Sequence, residues 1–379
     1  MRYLRTDSGV IFARGVKAMF RKLFARSHTR HFFAWQVELT TRCPLRCRMC
    51  MRDSADHWAT QDLNIEHLRQ LTPYFKDVEA VVLEGWGESL LYPNLVDAIG
   101  LVKGAGARAG FVTSGWGLTR DYIEDLLKAR TDFLGFSLSG ATAGTHNAIR
   151  VNSEFPALLR AMEDLVKAKR DRHQEVPRLH IVFLMVRDNM REMVPLIDLA
   201  AEIGITEVVP INLIQVTSAW QDGERVFMQG EEEYEALLKE AEAKAREREV
   251  ALRRPSLSSR EVAVCDENPL RNLYISVDGE VSPCVFLNPP TPSPFRRIFC
   301  GREYLIDKVS FGNIFREDFA TIWKSSPYVA FRNSWQAKKK WFDELYSPLS
   351  WGTPRRRVGD GASPMAPVPC RSCYKSLGL

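Results

Sequence analysis

The sequence predicts an α/β protein in which a partial, TIM-like (β/α)6 barrel precedes a small α+β domain. Between residues 33 and 216, short apolar runs alternate six times with amphipathic stretches, and strands that alternate with helices form a parallel sheet. Six units are too few to close an eight-stranded barrel, so the sheet stays open. From residue 261 onward the chain changes to short strands, turn signals and a Pro-rich stretch at 288–294, which indicates a second, smaller domain.

Each predicted element follows from the spacing of its apolar residues. Short apolar runs predict strands, and apolar residues three and four apart predict helices. The predicted strands are 33–39, 80–83, 109–112, 133–138, 179–185 and 207–213. The predicted helices are 65–71, 95–103, 119–128, 154–168 and 193–203, and a linking helix at 230–250 is rich in Ala, Glu, Lys and Leu.

These elements divide the chain into four predicted parts. They are a basic amphipathic N-terminal helix (1–32), the barrel (33–225), a helical linker (226–260) and the small domain (261–379). The apolar stripe of the first part lies at 10–26, in a region where residues 1–35 carry eight Arg or Lys against one acid. Such a helix can pack on the barrel or lie on an anionic membrane surface, and both alternatives stay open.

Composition and charge exclude several classes of protein. A hydrophobic content of 45% and a charged content of 26% are typical of a soluble globular chain. The sequence has no apolar run of 18 residues and no signal peptide, which predicts a cytoplasmic protein with at most peripheral contact at the inner membrane face. The net charge of +5 gives no indication of nucleic-acid binding.

Eight cysteines in such a chain do not predict a disulfide framework. Seven of them form two separated groups, and Cys300 is left over as a spare thiol. Two groups of soft thiolate ligands indicate metal or iron–sulfur sites in a reducing compartment.

The first group has the spacing C-x3-C-x2-C and consists of Cys43, Cys47 and Cys50, just after the first predicted strand. In a partial barrel this loop lies at the C-terminal end of the strands, where such folds keep their chemistry. Three thiolates can bind three irons of a [4Fe–4S] cluster and leave the fourth iron open to an amine and a carboxylate. The alternative is structural zinc, which needs a fourth ligand, and His57 is the candidate nearby.

With Glu-Leu-Thr before it, this motif resembles that of the radical SAM superfamily, over residues 33–216. Gly85-Trp-Gly87-Glu88, after the second strand, is similar to the family's glycine–glutamate motif. The resemblance implies that its backbone and carboxylate hold the methionine amine of S-adenosylmethionine, since glycine permits close approach to a ligand.

A stretch from Ser137 to Arg150 resembles the family's fourth-strand S-x-D-G…H…R pattern, with Ser139 in place of the usual Asp and with His146. The resemblance implies that Ser137 reaches the ribose side of the cofactor and that Arg150 pairs with its carboxylate. The alternatives are a plain strand hydroxyl and a solvated surface arginine.

The second group is C-x13-G-x4-C followed by a distant C-x2-C: Cys265, Cys284, Cys370 and Cys373. Asp278-Gly279 predicts a hairpin turn that brings the first two onto neighbouring strands. Zinc is an alternative for four such thiolates. The pattern is similar to the auxiliary-cluster domain called SPASM, and more closely to its shortened "twitch" form. That resemblance implies a second, auxiliary [4Fe–4S] cluster held by all four cysteines, which favours electron transfer or structure over substrate binding.

The resemblance as a whole implies a radical SAM enzyme of the oxidoreductase type. An external electron donor of the flavodoxin or ferredoxin type would reduce the first cluster. S-adenosylmethionine would then be cleaved to a 5′-deoxyadenosyl radical, which abstracts hydrogen from a substrate C–H bond. We expect oxidation or cross-linking of a small molecule or lipid. A ribosomal peptide or protein as substrate and a non-catalytic iron–sulfur or zinc scaffold are the alternatives, and no residue is predicted as general acid or base.

Overall fold

The computed structural model describes residues 30–345 and 363–379. The basic amphipathic helix predicted at 10–26 lies outside the described residues, so its packing or membrane contact stays a prediction. Within the described part, no helix is long and apolar enough to cross a membrane.

Thirteen strands and ten helices make up the described structure. The strands are β1 (Phe32–Val37), β2 (Arg46–Cys47), β3 (Val78–Val82), β4 (Arg108–Thr113), β5 (Phe133–Leu138), β6 (Arg150–Val151), β7 (Arg178–Met185), β8 (Glu207–Asn212), β9 (Ala251–Leu252), β10 (Asn272–Ile275), β11 (Val281–Ser282), β12 (Phe295–Phe299) and β13 (Arg302–Ile306). The helices are α1 (Ile65–Phe75), α2 (Leu95–Gly104), α3 (Arg120–Lys128), α4 (Ala143–Ile149), α5 (Phe155–Asp171), α6 (Met193–Ile203), α7 (Ala219–Gly223), α8 (Glu231–Glu247), α9 (Phe319–Lys324) and α10 (Ser326–Leu345).

Six parallel strands form the centre of the main sheet, in the order β1-β3-β4-β5-β7-β8. Their side chains are buried along the sheet, and Trp35, Phe111 and Phe183 are completely inaccessible to solvent. The intervening helices bury one apolar face each, as α1 does with Leu68 and Leu71. The predicted (β/α)6 barrel is therefore confirmed.

Local signals in the sequence set the ends of several helices. Asn64 caps α1 by accepting a hydrogen bond from the Glu66 backbone N–H at 2.9 Å, and the Thr119 hydroxyl caps α3 in the same way. The helix α6 ends at Gly204, whose φ of 92° lies in the left-handed region that favours glycine.

Strands from outside the predicted barrel extend both ends of the sheet. β10 pairs in parallel with β1, and β11 pairs with β10 in antiparallel fashion. At the other end β9 pairs with β8. The sheet thus runs across the predicted boundaries at 225 and 260, and the division into domains stays a prediction.

The hairpin predicted at Asp278-Gly279 connects β10 to β11. Gly279 has a φ of 90°, and a Cβ there would lie 2.3 Å from the Phe315 ring, so the turn requires glycine. The prediction that Cys265 and Cys284 sit on the two paired strands is wrong. Cys265 lies seven residues before β10, and Cys284 lies two residues after β11, both in loops.

Candidate functional site

The first cysteine group occupies the loop after β1. Cys43, Cys47 and Cys50 are all half-buried, and the Cys50 N–H donates to the Cys47 carbonyl oxygen at 2.9 Å. Cys47 lies on β2, directly opposite Arg150 on β6. The Arg52 guanidinium donates to the carbonyl oxygen of Cys43 and so holds the start of the loop. This loop lies at the C-terminal end of the parallel strands, as predicted from the sequence.

Burial dominates the electrostatics of these thiols. It raises the pKa of Cys43 to about 11 and that of Cys50 to about 12, and it also raises the pKa of Cys47. The neighbouring thiols raise the pKa of Cys50 further, so the three lie close together. Arg150 acts against burial at Cys47, because its Nη1 lies 3.9 Å from the Sγ. Thiols in this state bind metal with release of their protons.

The glycine–glutamate motif packs directly on the backbone that leads into this loop. A Cβ on Gly87 would lie 2.2 Å from the Thr40 carbonyl oxygen, and the Glu88 N–H donates to the Arg42 carbonyl oxygen at 2.7 Å. A Cβ on Gly85 would lie 2.4 Å from the Glu38 carboxylate. Only glycine fits at these two positions, so the motif and the cysteine loop form one unit.

The Glu88 carboxylate is 4% exposed and is held by the residues that end β4. It accepts hydrogen bonds from the Thr113 hydroxyl at 2.6 Å, the Ser114 N–H at 2.8 Å and the Ser114 hydroxyl at 2.6 Å. Such bonds to a carboxylate are strong and directional. Sequence reasoning missed Thr113 and Ser114. The signal was their place directly after a predicted strand, at the chemically active end of the barrel.

Arg150 is 9% exposed, so the alternative that it is a solvated surface residue is wrong. Its Nε donates to the Ser139 hydroxyl at 2.9 Å. The Ser139 backbone N–H in turn donates to His146 Nδ1 at 3.3 Å, and His146 Nε2 lies 3.0 Å from the Ser153 hydroxyl. Burial, aided by Arg150, lowers the pKa of His146 to about 3, so this imidazole is neutral and structural.

Ser137 lies on β5, half-buried, two residues before Ser139. Its hydroxyl makes no hydrogen bond to any residue that the structure describes, so it is available to a ligand. Of the predicted residues, the structure brings the three cysteines, Glu88 and Arg150 together. The charges of Glu88 and Arg150 are both close enough to shift the pKa of the Cys47 thiol.

The second cysteine group is assembled from three separate segments. Cys265 precedes β10, Cys284 follows β11, and Cys370 and Cys373 lie in a C-terminal turn closed by the Cys373 N–H donating to the Cys370 carbonyl oxygen at 3.1 Å. All four line one small pocket. Burial raises the pKa of Cys265, Cys284 and Cys370, and Cys370 and Cys373 raise the pKa of Cys265 and Cys284 further. The predicted set is therefore close in space.

Cysteine sulfur is the candidate donor atom in both sites. Across residues 30–345 and 363–379, no three or more His, Cys, Asp or Glu side chains are arranged to hold one metal ion. His57, the alternative fourth zinc ligand, is exposed. Soft thiolates alone therefore form both donor sets.

Aromatic side chains connect the two sites. Trp86, inside the glycine–glutamate motif, contacts Trp58 with ring centroids 6.0 Å apart and Phe286 with ring centroids 6.4 Å apart. Phe286 lies two residues after Cys284. The two cysteine sites thus share one packed boundary, which the sequence did not reveal.

Comparisons with known proteins agree with this geometry. The family model of the Radical SAM superfamily matches residues 37–200, and that of the SPASM iron-sulfur cluster-binding domain matches residues 265–344. This chain contains a radical SAM domain followed by a C-terminal SPASM domain. The first domain implies a [4Fe–4S] cluster and S-adenosylmethionine, and the second implies auxiliary iron–sulfur binding, which confirms the cofactors predicted from the sequence. The single-cluster twitch form stays a prediction, because the match ends before Cys370.

The names of curated relatives of this chain refer to different substrates. A tungsten-containing aldehyde ferredoxin oxidoreductase cofactor-modifying protein of Pyrococcus furiosus is 24% identical over 78% of this chain and 82% of its own length. A PqqA peptide cyclase of Streptomyces rochei is 28% identical, over 46% of this chain and only 47% of its own length.

Solved structures share the fold. Streptococcus suis SuiB bound to S-adenosylmethionine has a TM-score of 0.60 at 12% identity, over 87% of this chain and 75% of its own. Native anSMEcpe with bound AdoMet has a TM-score of 0.60 at 14% identity, over 80% of this chain and 84% of its own. These likenesses support the partial barrel followed by a smaller domain.

Proposed function

We propose that this enzyme oxidises or cross-links its substrate at an unactivated C–H bond, with Cys43, Cys47 and Cys50 as ligands of the cluster that binds S-adenosylmethionine. The observation that carries the proposal is the convergence of these thiols with Glu88 and Arg150 at one end of the barrel. Three thiolates leave one iron of a four-iron cluster without a protein ligand, so the amine and carboxylate of the cofactor can chelate it.

Arg150 is proposed to bind the cofactor's carboxylate. The hydrogen bond from its Nε to Ser139 fixes the plane of the guanidinium and leaves the two terminal nitrogens for a paired interaction. Its position 3.9 Å from the Cys47 sulfur places this charge beside the thiolates.

Gly85, Gly87 and Glu88 are proposed to receive the methionine amine, and Ser137 the ribose side. The tight packing of the two glycines keeps the motif against the cysteine loop. The donors at the end of β4, together with the Leu90 N–H at 3.2 Å, hold the Glu88 carboxylate in one orientation, and its negative charge is complementary to a positively charged amine. The free hydroxyl of Ser137 is the available partner on β5.

When bound beside a reduced cluster, S-adenosylmethionine would supply a 5′-deoxyadenosyl radical able to abstract hydrogen from a substrate C–H bond. The residues of the chain contribute orientation and the exclusion of water, while the cofactor carries the difficult chemistry. The electron is proposed to come from an external donor of the flavodoxin or ferredoxin type.

Cys265, Cys284, Cys370 and Cys373 are proposed to ligate one auxiliary [4Fe–4S] cluster. Four protein ligands leave no open iron for a substrate, which favours a role in electron transfer. A substrate radical must lose one electron to become an oxidised product, and a cluster in the second site can accept it. The shared aromatic boundary between the sites supports transfer between them.

For the substrate we propose a small molecule first and a peptide second. A relative that covers 78% of this chain is named for modifying a cofactor, which supports a small molecule. The PqqA peptide cyclase and the SuiB structure bound to precursor peptide SuiA support a peptide. A lipid substrate rests on the basic sequence at 10–26, outside the described residues.

The test follows 5′-deoxyadenosine in the anaerobically reconstituted, reduced full-length enzyme. Small-molecule and peptide fractions of a cell extract are added in parallel, each with and without prior protease treatment. Stimulation by the small-molecule fraction that survives protease supports our first proposal, and stimulation that protease abolishes supports a peptide substrate. No 5′-deoxyadenosine under any condition, with the first cluster fully loaded and reduced, would contradict radical chemistry altogether.

A further inference from the structure

Arg297 is a fully buried arginine beside the second cysteine site. It lies on β12, is 1% exposed and lines the pocket formed by the four cysteines. Its neighbour on the strand, Arg296, points to solvent and pairs with Glu303 at 2.8 Å. Adjacent arginines on one strand therefore have opposite surroundings, because successive side chains point to opposite faces.

All hydrogen-bond partners of Arg297 are neutral oxygen atoms. Its Nη1 donates to the Pro369 carbonyl oxygen at 3.0 Å, and its Nη2 donates to the Phe286 carbonyl oxygen at 3.1 Å and to Gln215 Oε1 at 3.4 Å. Its Nε has no partner within the described ranges. No carboxylate in the described part of the chain forms an ion pair with this guanidinium.

The two carbonyl groups belong to the segments that carry the cysteines. Pro369 directly precedes Cys370, and Phe286 lies two residues after Cys284. Arg297 therefore joins both ligand segments while its positive charge stays beside them. An arginine does not lose its proton in a protein, so this charge persists after burial.

A buried charge without a counter-charge is strongly unfavourable. Two other charged groups line the pocket, Lys375 and Glu267, and they pair with each other at 3.5 Å. The thiolates are thus the available negative charge for Arg297. The hydrogen bond from Arg297 Nη1 to the Pro369 carbonyl oxygen keeps the guanidinium beside the segment that carries Cys370.

Trp335 adds the dipole of its indole N–H to the pocket lined by the four cysteines. Its side chain is completely buried, and its indole N–H makes no regular hydrogen bond to any described residue. It lines the same pocket as Cys370. Donors directed at the ligand sulfurs and nearby charge are both known to set the reduction potentials of iron–sulfur clusters.

We propose that Arg297, assisted by Trp335, raises the reduction potential of the auxiliary cluster and so makes it an electron acceptor. This inference rests on the ligand set proposed above. One-electron reduction adds one negative charge to the cluster, and the electron comes from the substrate radical, which is oxidised. A fixed positive charge at a dehydrated site stabilises the more negative, reduced form. Arg297 acts as a positioning and tuning residue that need not touch the substrate.

The experiment measures the midpoint potential of the auxiliary cluster alone. Full-length protein with Cys43, Cys47 and Cys50 changed to Ala is reconstituted anaerobically and titrated with dye mediators, with the reduced cluster followed by electron paramagnetic resonance. Arg297→Gln should shift the potential to a clearly more negative value, and Trp335→Phe should shift it less in the same direction. Arg297→Lys should keep most of the wild-type potential, because it keeps the charge.

Arg296→Gln is the matched control, with the same substitution one residue away on the solvent side, and should leave the potential unchanged. An Arg297→Gln protein with a full cluster and an unchanged potential overturns the inference. If that variant loses the cluster, Trp335→Phe decides, and an unchanged potential there overturns it as well. Zinc, or no four-iron cluster, in the parent protein would instead show that the proposed ligand set is wrong.

Discussion

The first cysteine site comes from residues 43–50, whereas the second collects its cysteines from three segments between residues 265 and 373. A contiguous loop can present three thiols and leave a side open to a ligand. Segments that meet only in the folded chain can surround a metal group completely. The contrast supports the proposed division of roles between a site that binds a cofactor and one that moves electrons.

The arginines at the two sites differ in the same sense. The Nε of Arg150 donates to the Ser139 hydroxyl, and the terminal nitrogens stay available beside Cys47. Both terminal nitrogens of Arg297 donate to backbone and side-chain oxygens, and the side chain is buried. The first is proposed to bind a carboxylate that arrives with the cofactor. The second can only act on what is permanently next to it.

The largest effect is expected when the first site is removed. Changing Cys43, Cys47 and Cys50 together to Ala should abolish 5′-deoxyadenosine formation and lower iron from about eight to about four per chain, on the [4Fe–4S] ligand counts. Iron analysis and chromatography of the reaction measure both. The exposed Cys300→Ala is the control and should change neither. Full iron in the triple variant would contradict the ligand assignment.

Removing the second site should separate two steps. With Cys370 and Cys373 changed to Ala, 5′-deoxyadenosine should still form, while oxidised product should fall sharply because its electron has no acceptor. Since loss of a metal site can unfold the segments that it joins, circular dichroism and melting come first. A folded variant that makes product at the normal rate would show that the second cluster is structural.

A smaller effect is expected at Glu38, which directly follows β1 and contacts the glycine–glutamate motif. It is 1% exposed, accepts a hydrogen bond from the Trp86 N–H at 2.8 Å and lies near Tyr274 of β10. Burial raises its pKa from 4.5 to about 7. The folded chain therefore holds this proton more tightly than the unfolded chain. Its contribution to stability is complete below pH 4.5 and is lost as pH rises through about 7.

Glu38→Gln should remove that loss, because glutamine resembles the protonated carboxyl. At pH 8 the variant should be more stable than wild type by up to about 3 kcal/mol, at about 1.4 kcal/mol per pKa unit, and the difference should shrink towards pH 5. Thermal melting across this range measures it. Glu66→Gln, on the exposed face of α1, should keep the wild-type profile. A Glu38→Gln protein less stable at every pH would mean that the carboxylate is ionised and needed.

How far the sequence predicted the molecule depends on how local each signal is. The barrel strands and the cysteine loop are encoded by neighbouring residues, and their predicted places are close to those found. Arg297 carries no such signal, because its role arises only when β12 meets the C-terminal turn. Thr113 has a local signal in its place after a predicted strand, but its partner Glu88 is found only when β4 meets the Glu88 loop. The Gly279 turn was predicted correctly, but the two residues of β11 are too few to carry Cys284.

The smallest effect concerns the carboxylate of the cofactor. Arg150→Ala should weaken S-adenosylmethionine binding by about 1.5–3 kcal/mol, the usual worth of a hydrogen bond to a charged group. Ser139→Ala should cost less, about 1 kcal/mol, because it only frees the guanidinium to rotate. The contact of His146 survives that change, since it involves the Ser139 backbone.

Equilibrium binding of S-adenosylmethionine to reconstituted protein measures both variants, at matched iron content because Arg150 lies beside Cys47. Arg160→Ala, exposed on α5, is the control. Wild-type affinity in Arg150→Ala would remove it from the binding site, and equal losses in both variants would mean that the hydroxyl itself contacts the cofactor.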